Sequence, residues 1–479
     1  MRRGLMLNLI SNVMFFISGY ALHYFLGNSM LPTAYGVVGT ILTVLDFEYM
    51  FVSNGARQSL AGMISCNQYD IKDIVAKTLG FQSLVIIFFV CLNYFGAPIF
   101  ATLFGDESLR FYFQIAGILV VGNGLQVILT GINDGLQRFG TSALLSTFNP
   151  IAKLGTIPLI VFAFQDDPVL GVEIGFFLAV VATIILGCVL LVCDYAPFTE
   201  KKSTKIPFFE VAHRTTSFSF FFIMVSLVLS VDTLIVKAVV RPGDMAGYYT
   251  GAMNFGKIAY YLLQAFSTVI LPVVAQLVGA GEPKEALRRI QELVQLAFAF
   301  ILPISVVISA SGGNLLAAFY TEDFTVAAPA LACLSLSNFF MGMTVILNMV
   351  LNSVKASRFS DVLSIGSLIV VIPVFVLAAR FGGITAIATA SVSCTGTAMV
   401  LSFIRTYRQV GRVLTRKTWI IIGMNVALWI MVYGVFSVLQ ISNLLVLAAL
   451  YMAIYTVYVA TLLGGRVVRV PKLNDLKCA

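Results

Sequence analysis

Fourteen separate runs of about 20 mostly apolar residues punctuate this chain. They lie near 5–27, 36–56, 79–101, 113–133, 142–164, 170–193, 217–239, 247–272, 290–311, 328–351, 361–379, 383–404, 418–437 and 442–463. A helix rises about 1.5 Å per residue, so each run is long enough to cross a hydrocarbon layer about 30 Å thick. So many runs exclude a water-soluble fold and predict an all-α polytopic membrane protein. Composition agrees, with 59% of the 479 residues apolar and 11% charged, whereas soluble domains carry about 25% charged residues. The mean hydropathy is +0.96. Met1-Arg2-Arg3 leads into the first run with no small-residue cleavage signature, so that run is expected to remain as the first span.

Lysine and arginine test the spans independently, because short cytoplasmic loops are enriched in them. Of the 30 such residues, 24 fall in alternate connections on one side. Four (Arg110, Lys237, Arg241 and Arg380) fall on the other, and Lys153 and Lys257 lie inside runs. The unbroken alternation predicts an even number of spans with both termini cytoplasmic. It also explains the formal charge of +8 as orientation against an anionic inner leaflet, so no nucleic-acid partner is expected. The seven cysteines form no CxxC pair and imply neither a disulfide framework nor a metal site.

The longest polar connection, 201–214, falls between the sixth and seventh runs, and the two halves it separates repeat one another. NGARQSLAG from Asn54 aligns with LPVVAQLVG from Leu271, GLQVIL from Gly124 with GMTVIL from Gly342, and TIPLIVF from Thr156 with VIPVFVL from Val371. The offsets are 217, 218 and 215 residues. Six spans per copy is an even number, so both copies enter from the same side and form parallel repeats. The expected organisation is a six-helix lobe over 1–195, a cytoplasmic linker over 196–216, a second six-helix lobe over 217–410, and an appended two-helix hairpin with a tail over 411–479. Pro158 and Pro373 occupy equivalent places, which predicts bent fifth and eleventh helices.

Enzymatic chemistry has little to stand on. Phosphate-binding glycine motifs are absent, and only His23 and His213 could serve as imidazole bases. The informative residues are charges inside runs, each of which costs about 2.5–3.5 kcal/mol at mid-membrane unless it meets water or a partner. Asp46 and Glu48 lie in the second run, Lys153 in the fifth, Glu173 in the sixth, Asp232 in the seventh and Lys257 in the eighth. They either line an aqueous cavity or form buried pairs. Two residues apart is about 200° around a helix, so at most one of Asp46 and Glu48 is expected to face the path. Glu173, following Asp166-Asp167-Pro168, is expected to face water at the outer end. Asn8 and Asn12 share a face of the first run. Asn254 and Gln264 flank Lys257, and all four either line a cavity or bond between helices.

These residues resemble the polysaccharide exporters, or lipid-linked oligosaccharide flippases, of the multidrug/oligosaccharidyl-lipid/polysaccharide (MOP) exporter superfamily. The resemblance rests on LNLISNVMFFISGYALHYFLG from Leu7, VDTLIV from Val231, GYYTGAMNFGKI from Gly247, VILPVVAQL from Val269, and AAPALACLSLSNFF downstream of Phe319. It implies an inner-membrane transporter with two six-helix lobes facing across a central cavity. Fourteen spans fit the polysaccharide and lipid-precursor branches, whereas twelve are usual for multidrug exporters. The implied activity is alternating-access transfer of a polyprenyl-pyrophosphate-linked glycan to the outer leaflet, without a cofactor and driven by H+, Na+ or the membrane potential. Lys153 and Lys257 would meet the anionic headgroup, with Arg57 at the cytoplasmic mouth and Asn8, Asn12 and Asn254 lining the path. Asp232, Asp46 and Glu48 are the expected ion-coupling groups. Glycan polymerases or glycosyltransferases are expected partners, alongside membrane lipids. The alternative on the same architecture is a multidrug or organic-cation antiporter, in which Asp46 or Asp232 binds the cation.

Overall fold

The structure is a computed structural model that describes residues 2–66, 69–193, 204–264, 274, 277, 282–354 and 359–465. Among these the chain is helical nearly throughout, and no β-strand is present. Apolar surroundings dictate this, since a backbone without water must satisfy its N–H and C=O groups within each segment.

Ten helices among the described residues are long and apolar enough to cross a membrane. One of them, Phe359–Gln409, has 51 residues, about 75 Å of helix against a core of about 30 Å. It is two helices joined at Gly382 and Gly383, where the backbone leaves helical geometry. Gly383, at φ 60° and ψ −148°, adopts torsions that a side chain would forbid. The eleventh and twelfth expected spans meet at this break. The first and seventh fall in helices Arg2–Ser29 and Phe208–Val239, outside the ten. The eighth begins in Asp244–Gly256 and passes out of the described residues after 264.

The helices form two compact units, Met1–Ser230 and Val231–Ala479. In the first, α1 (Arg2–Ser29) precedes α2 (Pro32–Tyr49), whose proline occupies the first turn, where no helical N–H is lost. A π turn, Met50–Asn54, joins α2 to α3 (Gly55–Ser65) in one 34-residue stretch, so the helix runs past the expected end at 56. The side chain of Gln82 donates to the Val52 carbonyl within that turn, supplying a partner where the i→i−4 ladder is interrupted. Then follow α4 (Ile71–Phe104), α5 (Ser108–Gly135), α6 (Phe139–Gly155) and α7 (Pro168–Cys193). Pro158 precedes a second π turn, Leu159–Ala163.

Helix α5 is central, packing on α2, α3, α4, α6 and α7. It does so through small residues: a Cβ on Gly124 would lie 2.5 Å from Ile86 and 3.0 Å from Val52. Its repeat counterpart Gly342 is equally crowded, with Leu263 2.6 Å from the corresponding position. The other aligned segment from Leu271 lies outside the described residues except Val274 and Leu277.

At the Ile71 end of α4 the downstream half of the expected linker is held against the first unit. Asp70 N donates to the Thr204 carbonyl (3.1 Å), Ile206 N donates to Asp73 (2.9 Å), and Lys77 donates both to Asp73 (2.8 Å) and to the Ile206 carbonyl. Ile206 and Val211 are fully buried among Leu60, Met63, Ile64, Ile74, Ile128 and Ile132. Tyr69 donates to Glu210 (3.2 Å), a bond that holds the phenol above its ordinary range. From Phe208 this segment is already helix α8 (Phe208–Val239).

The second unit continues with α9 (Asp244–Gly256) and helices Pro283–Leu296, Leu302–Ala310 and Ala328–Val354. Its last two helices, Arg416–Val438 and Leu444–Gly464, are capped by Thr415 and Asn443. They attach to the π turn Ala297–Ile301. Asn425 donates to the Phe298 carbonyl (3.2 Å) and Tyr455 to the Phe300 carbonyl (3.0 Å), while Asn425 also reaches the Tyr458 hydroxyl (2.8 Å). A widened turn therefore finds its missing backbone partners on the hairpin.

Candidate functional site

Each unit encloses its own set of polar side chains. In the first, Glu48 on α2 is wholly buried, and its two carboxylate oxygens accept from Asn93 Nδ2 on α4, both at 2.9 Å. Asp46 is exposed, so the two acids point away from one another as their spacing requires. Asn123 donates to the Tyr49 hydroxyl at 2.7 Å, and Asn149 to Gln126 at 2.7 Å.

Lys153, half-buried on α6, places its ammonium 4.4 Å from the ring centre of Phe176 on α7. An aromatic face stabilises a cation at about 0.5–2 kcal/mol without using its N–H groups. Asp46 lies within electrostatic reach of the same lysine. Of the sequence-derived set, the first unit thus brings Lys153 within reach of Asp46 and pairs Glu48 with Asn93 instead.

Glu173 departs from expectation. Rather than facing water it is 3% exposed, because the helical phase of α7 puts it on the face of Val169, Val172 and Phe176. Asp166, by contrast, is exposed. Both Glu173 carboxylate oxygens are without a hydrogen-bond partner among the described residues. Glu173 lines a narrow pocket with Val38, Ile41, Leu42, Leu119 and Phe176. Phe176 therefore has Glu173 at its pocket and Lys153 on its ring.

Arg57 is not an unpaired cation. It sits in α3, with Nε bonded to Asp134 at 2.7 Å and a guanidinium nitrogen 3.3 Å from Ser142 Oγ. Asn8 and Asn12 lie on α1, with side chains outside the described ones.

The second unit gathers Asp232, Asn254 and Lys257. Asp232 is buried and accepts from the Tyr249 hydroxyl (2.9 Å) and from Thr233 N (2.7 Å). Lys257, half-buried at the end of α9, lies within its electrostatic reach. Asn254 donates to the Tyr320 hydroxyl at 3.4 Å. A lysine with an acid in electrostatic reach therefore occurs in both units. What sequence reading missed is the partner layer, Asn93, Tyr249 and Tyr320, whose residue types are too common to stand out.

The fold and these intramembrane polar clusters define a multi-pass helical membrane protein, and the comparisons place it more narrowly. The family model described as polysaccharide biosynthesis protein matches residues 1–278, and the chain belongs to that family. A second model, MatE, matches residues 217–377. No curated protein sequence matches significantly. Among solved structures, the lipid II flippase MurJ in an inward closed conformation superposes with TM-score 0.74 at 15% identity, covering 96% of this chain and 99% of that one. An inward-facing multidrug resistance MATE family transporter of the MOP superfamily gives 0.69 at 12%, covering 85% and 98%. A Vibrio cholerae MATE transporter gives 0.58 at 15%, covering 85% and 97%. The fold is thus shared with a lipid II flippase and with MATE transporters.

Proposed function

We propose that this protein moves a lipid-linked glycan precursor, of the polyprenyl-pyrophosphate type, from the cytoplasmic to the outer leaflet of the cell membrane by alternating access. The observation that carries this reading is the polysaccharide biosynthesis family match over 1–278. The MurJ-like fold, along 96% of the chain, supports it. The MATE structures cover 85% of the chain, against 96% for the flippase. That favours the flippase reading over the antiporter alternative, which the MatE match over 217–377 keeps in view.

In this reading residues 1–195 and 217–410 act as two lobes joined by the linker 196–216, with both termini cytoplasmic. Lys153 and Lys257 supply one cation per lobe for the pyrophosphate, while the polyprenyl tail stays in lipid. Asn254 lines the path, with Asn8 and Asn12. Arg57 acts at the mouth only by exchanging its Asp134 partner for the headgroup. An H+ or Na+ gradient, or the membrane potential, drives the cycle through acids such as Asp232, Asp46 or Glu48. Glycosyltransferases and a polymerase stand before and after it.

A deletion strain tests this. Loss of a surface glycan, with its lipid-linked unit accumulating in the inner leaflet, should be reversed by the wild-type gene and at least tenfold less by Lys153→Ala or Lys257→Ala. An unchanged glycan together with accumulation of toxic organic cations would select the antiporter instead.

A further inference from the structure

The carboxyl group of Glu173 is absent from the coupling residues named above, yet its surroundings are the most demanding in the first unit. A carboxylate moved out of water pays a large penalty unless it is paired or hydrogen-bonded, and the usual relief is to take up a proton. Glu48 meets that demand with Asn93. Glu173, 3% exposed and with neither oxygen hydrogen-bonded among the described residues, does not. The titratable groups in electrostatic reach of Glu173 are Tyr49 on α2, Tyr112 on α5 and Asp167 just before α7; Asp46 and Glu48 act on the same Tyr49, and Lys153 on α6 lies over the ring of Phe176, which lines the pocket. Lys153 is engaged by the Phe176 ring, and the others are carboxyl groups and phenols.

We infer that Glu173 is a proton-binding site, a neutral carboxylic acid in the pocket between α2, α5 and α7 that exchanges its proton with water at the Asp167 end of the bundle. The pocket decides between ions. A metal cation requires several oxygen ligands, six to eight for Ca2+, whereas the walls here are aliphatic and aromatic and Glu173 brings the sole carboxylate among the lining residues. A proton needs one oxygen. The exchange is a simple transfer in which the carboxylate takes a proton from hydronium, leaving water, and returns it by the reverse step. Tyr112, hydrogen-bonded to Asp167 at 2.8 Å, keeps ionisable groups between the pocket and that end of α7. Glu173 would then take the role of coupling group for the transport proposed above, on which that final step rests.

The test needs no cargo. Infrared difference spectra of the purified protein in lipid vesicles, recorded across a pH titration, should show the C=O stretch of a protonated carboxylic acid that fades as the site ionises. Glu173→Gln should lose that component and bind about one proton fewer per chain over the titrated range, while Glu107→Gln, at an exposed position, retains it. Glu173→Met, which matches the volume and the apolar walls, should behave as Glu173→Gln does and remain folded by thermal unfolding. A Glu173→Gln or Glu173→Met protein whose carboxylic-acid band and proton uptake both match those of the wild type, or a wild-type protein without such a band, overturns the assignment. Failure of the glycan assay with the proton signal intact would instead overturn only the transport reading.

Discussion

Single side chains in this protein are best understood by asking what each buried polar atom bonds to. Glu48 and Asn93 form one closed arrangement, so removing either leaves the other stranded at zero or near-zero exposure. Asn93→Leu is expected to lower stability by about 1–3 kcal/mol, read as a drop in the thermal midpoint of the detergent-solubilised protein. Replacing both as Glu48→Leu/Asn93→Leu should recover much of that loss, and a double variant worse than the sum of the singles would refute the pairing. The buried charges themselves were legible because 11% charge in an apolar chain makes each one conspicuous. Their partners were not. Asn93 and Tyr249 are unremarkable residues until α4 and α9 bring them within 2.9 Å of Glu48 and Asp232. Glu173 was misjudged for the same reason, since only the helical phase of α7 shows that it shares the face of Val169, Val172 and Phe176, while Asp166 lies before the helix begins.

Helices meet where glycine lets them approach. Gly342→Val must displace Leu263, which already lies 2.6 Å from a hypothetical Cβ, and is expected to cost about 1–3 kcal/mol. Gly366→Val, where a Cβ meets nothing within 4 Å, should be tolerated. Thermal unfolding of the two variants side by side checks the contrast. The hairpin offers a second measurement: Asn425→Leu and Tyr455→Phe each remove a donor to a carbonyl of the Ala297–Ile301 turn. Each should destabilise by about 1 kcal/mol, with proteolysis first appearing at the hairpin. Early cleavage elsewhere would sink this account of its anchorage. Run length and the division between 361–379 and 383–404 were readable from hydropathy. The π turns were not, because nothing in a run such as AFAFI marks a change of hydrogen-bond register.

For the molecule as a whole, the repeat offsets near 217 residues predict two halves separated at 196–216, whereas the chain divides into the compact units Met1–Ser230 and Val231–Ala479, a boundary that falls within α8. Less visible in sequence is how much of the connection belongs to the first one. A cluster such as Lys201, Lys202 and Lys205 reads as a solvated loop, yet Ile206 and Val211 are core residues of the first unit. Ile206→Asp is expected to release this segment and raise its cleavage rate by limited trypsin at least tenfold, whereas Lys72→Ala, which leaves the core intact, should not. Equal rates in both variants would show that the core contact does not hold the segment in place.

The clasp formed by Asp70, Asp73, Lys77 and Ile206 also bears on what happens if the chain is interrupted. A break introduced just before Thr204 would turn the segment 204–230 from a tether into a docking peptide, carried by the downstream fragment and received by the upstream one. Two separately encoded fragments should then find each other in the bilayer and co-purify. Asp73→Asn combined with Ile206→Asp should abolish that recovery, making the clasp a built-in handle for assembling this protein from parts.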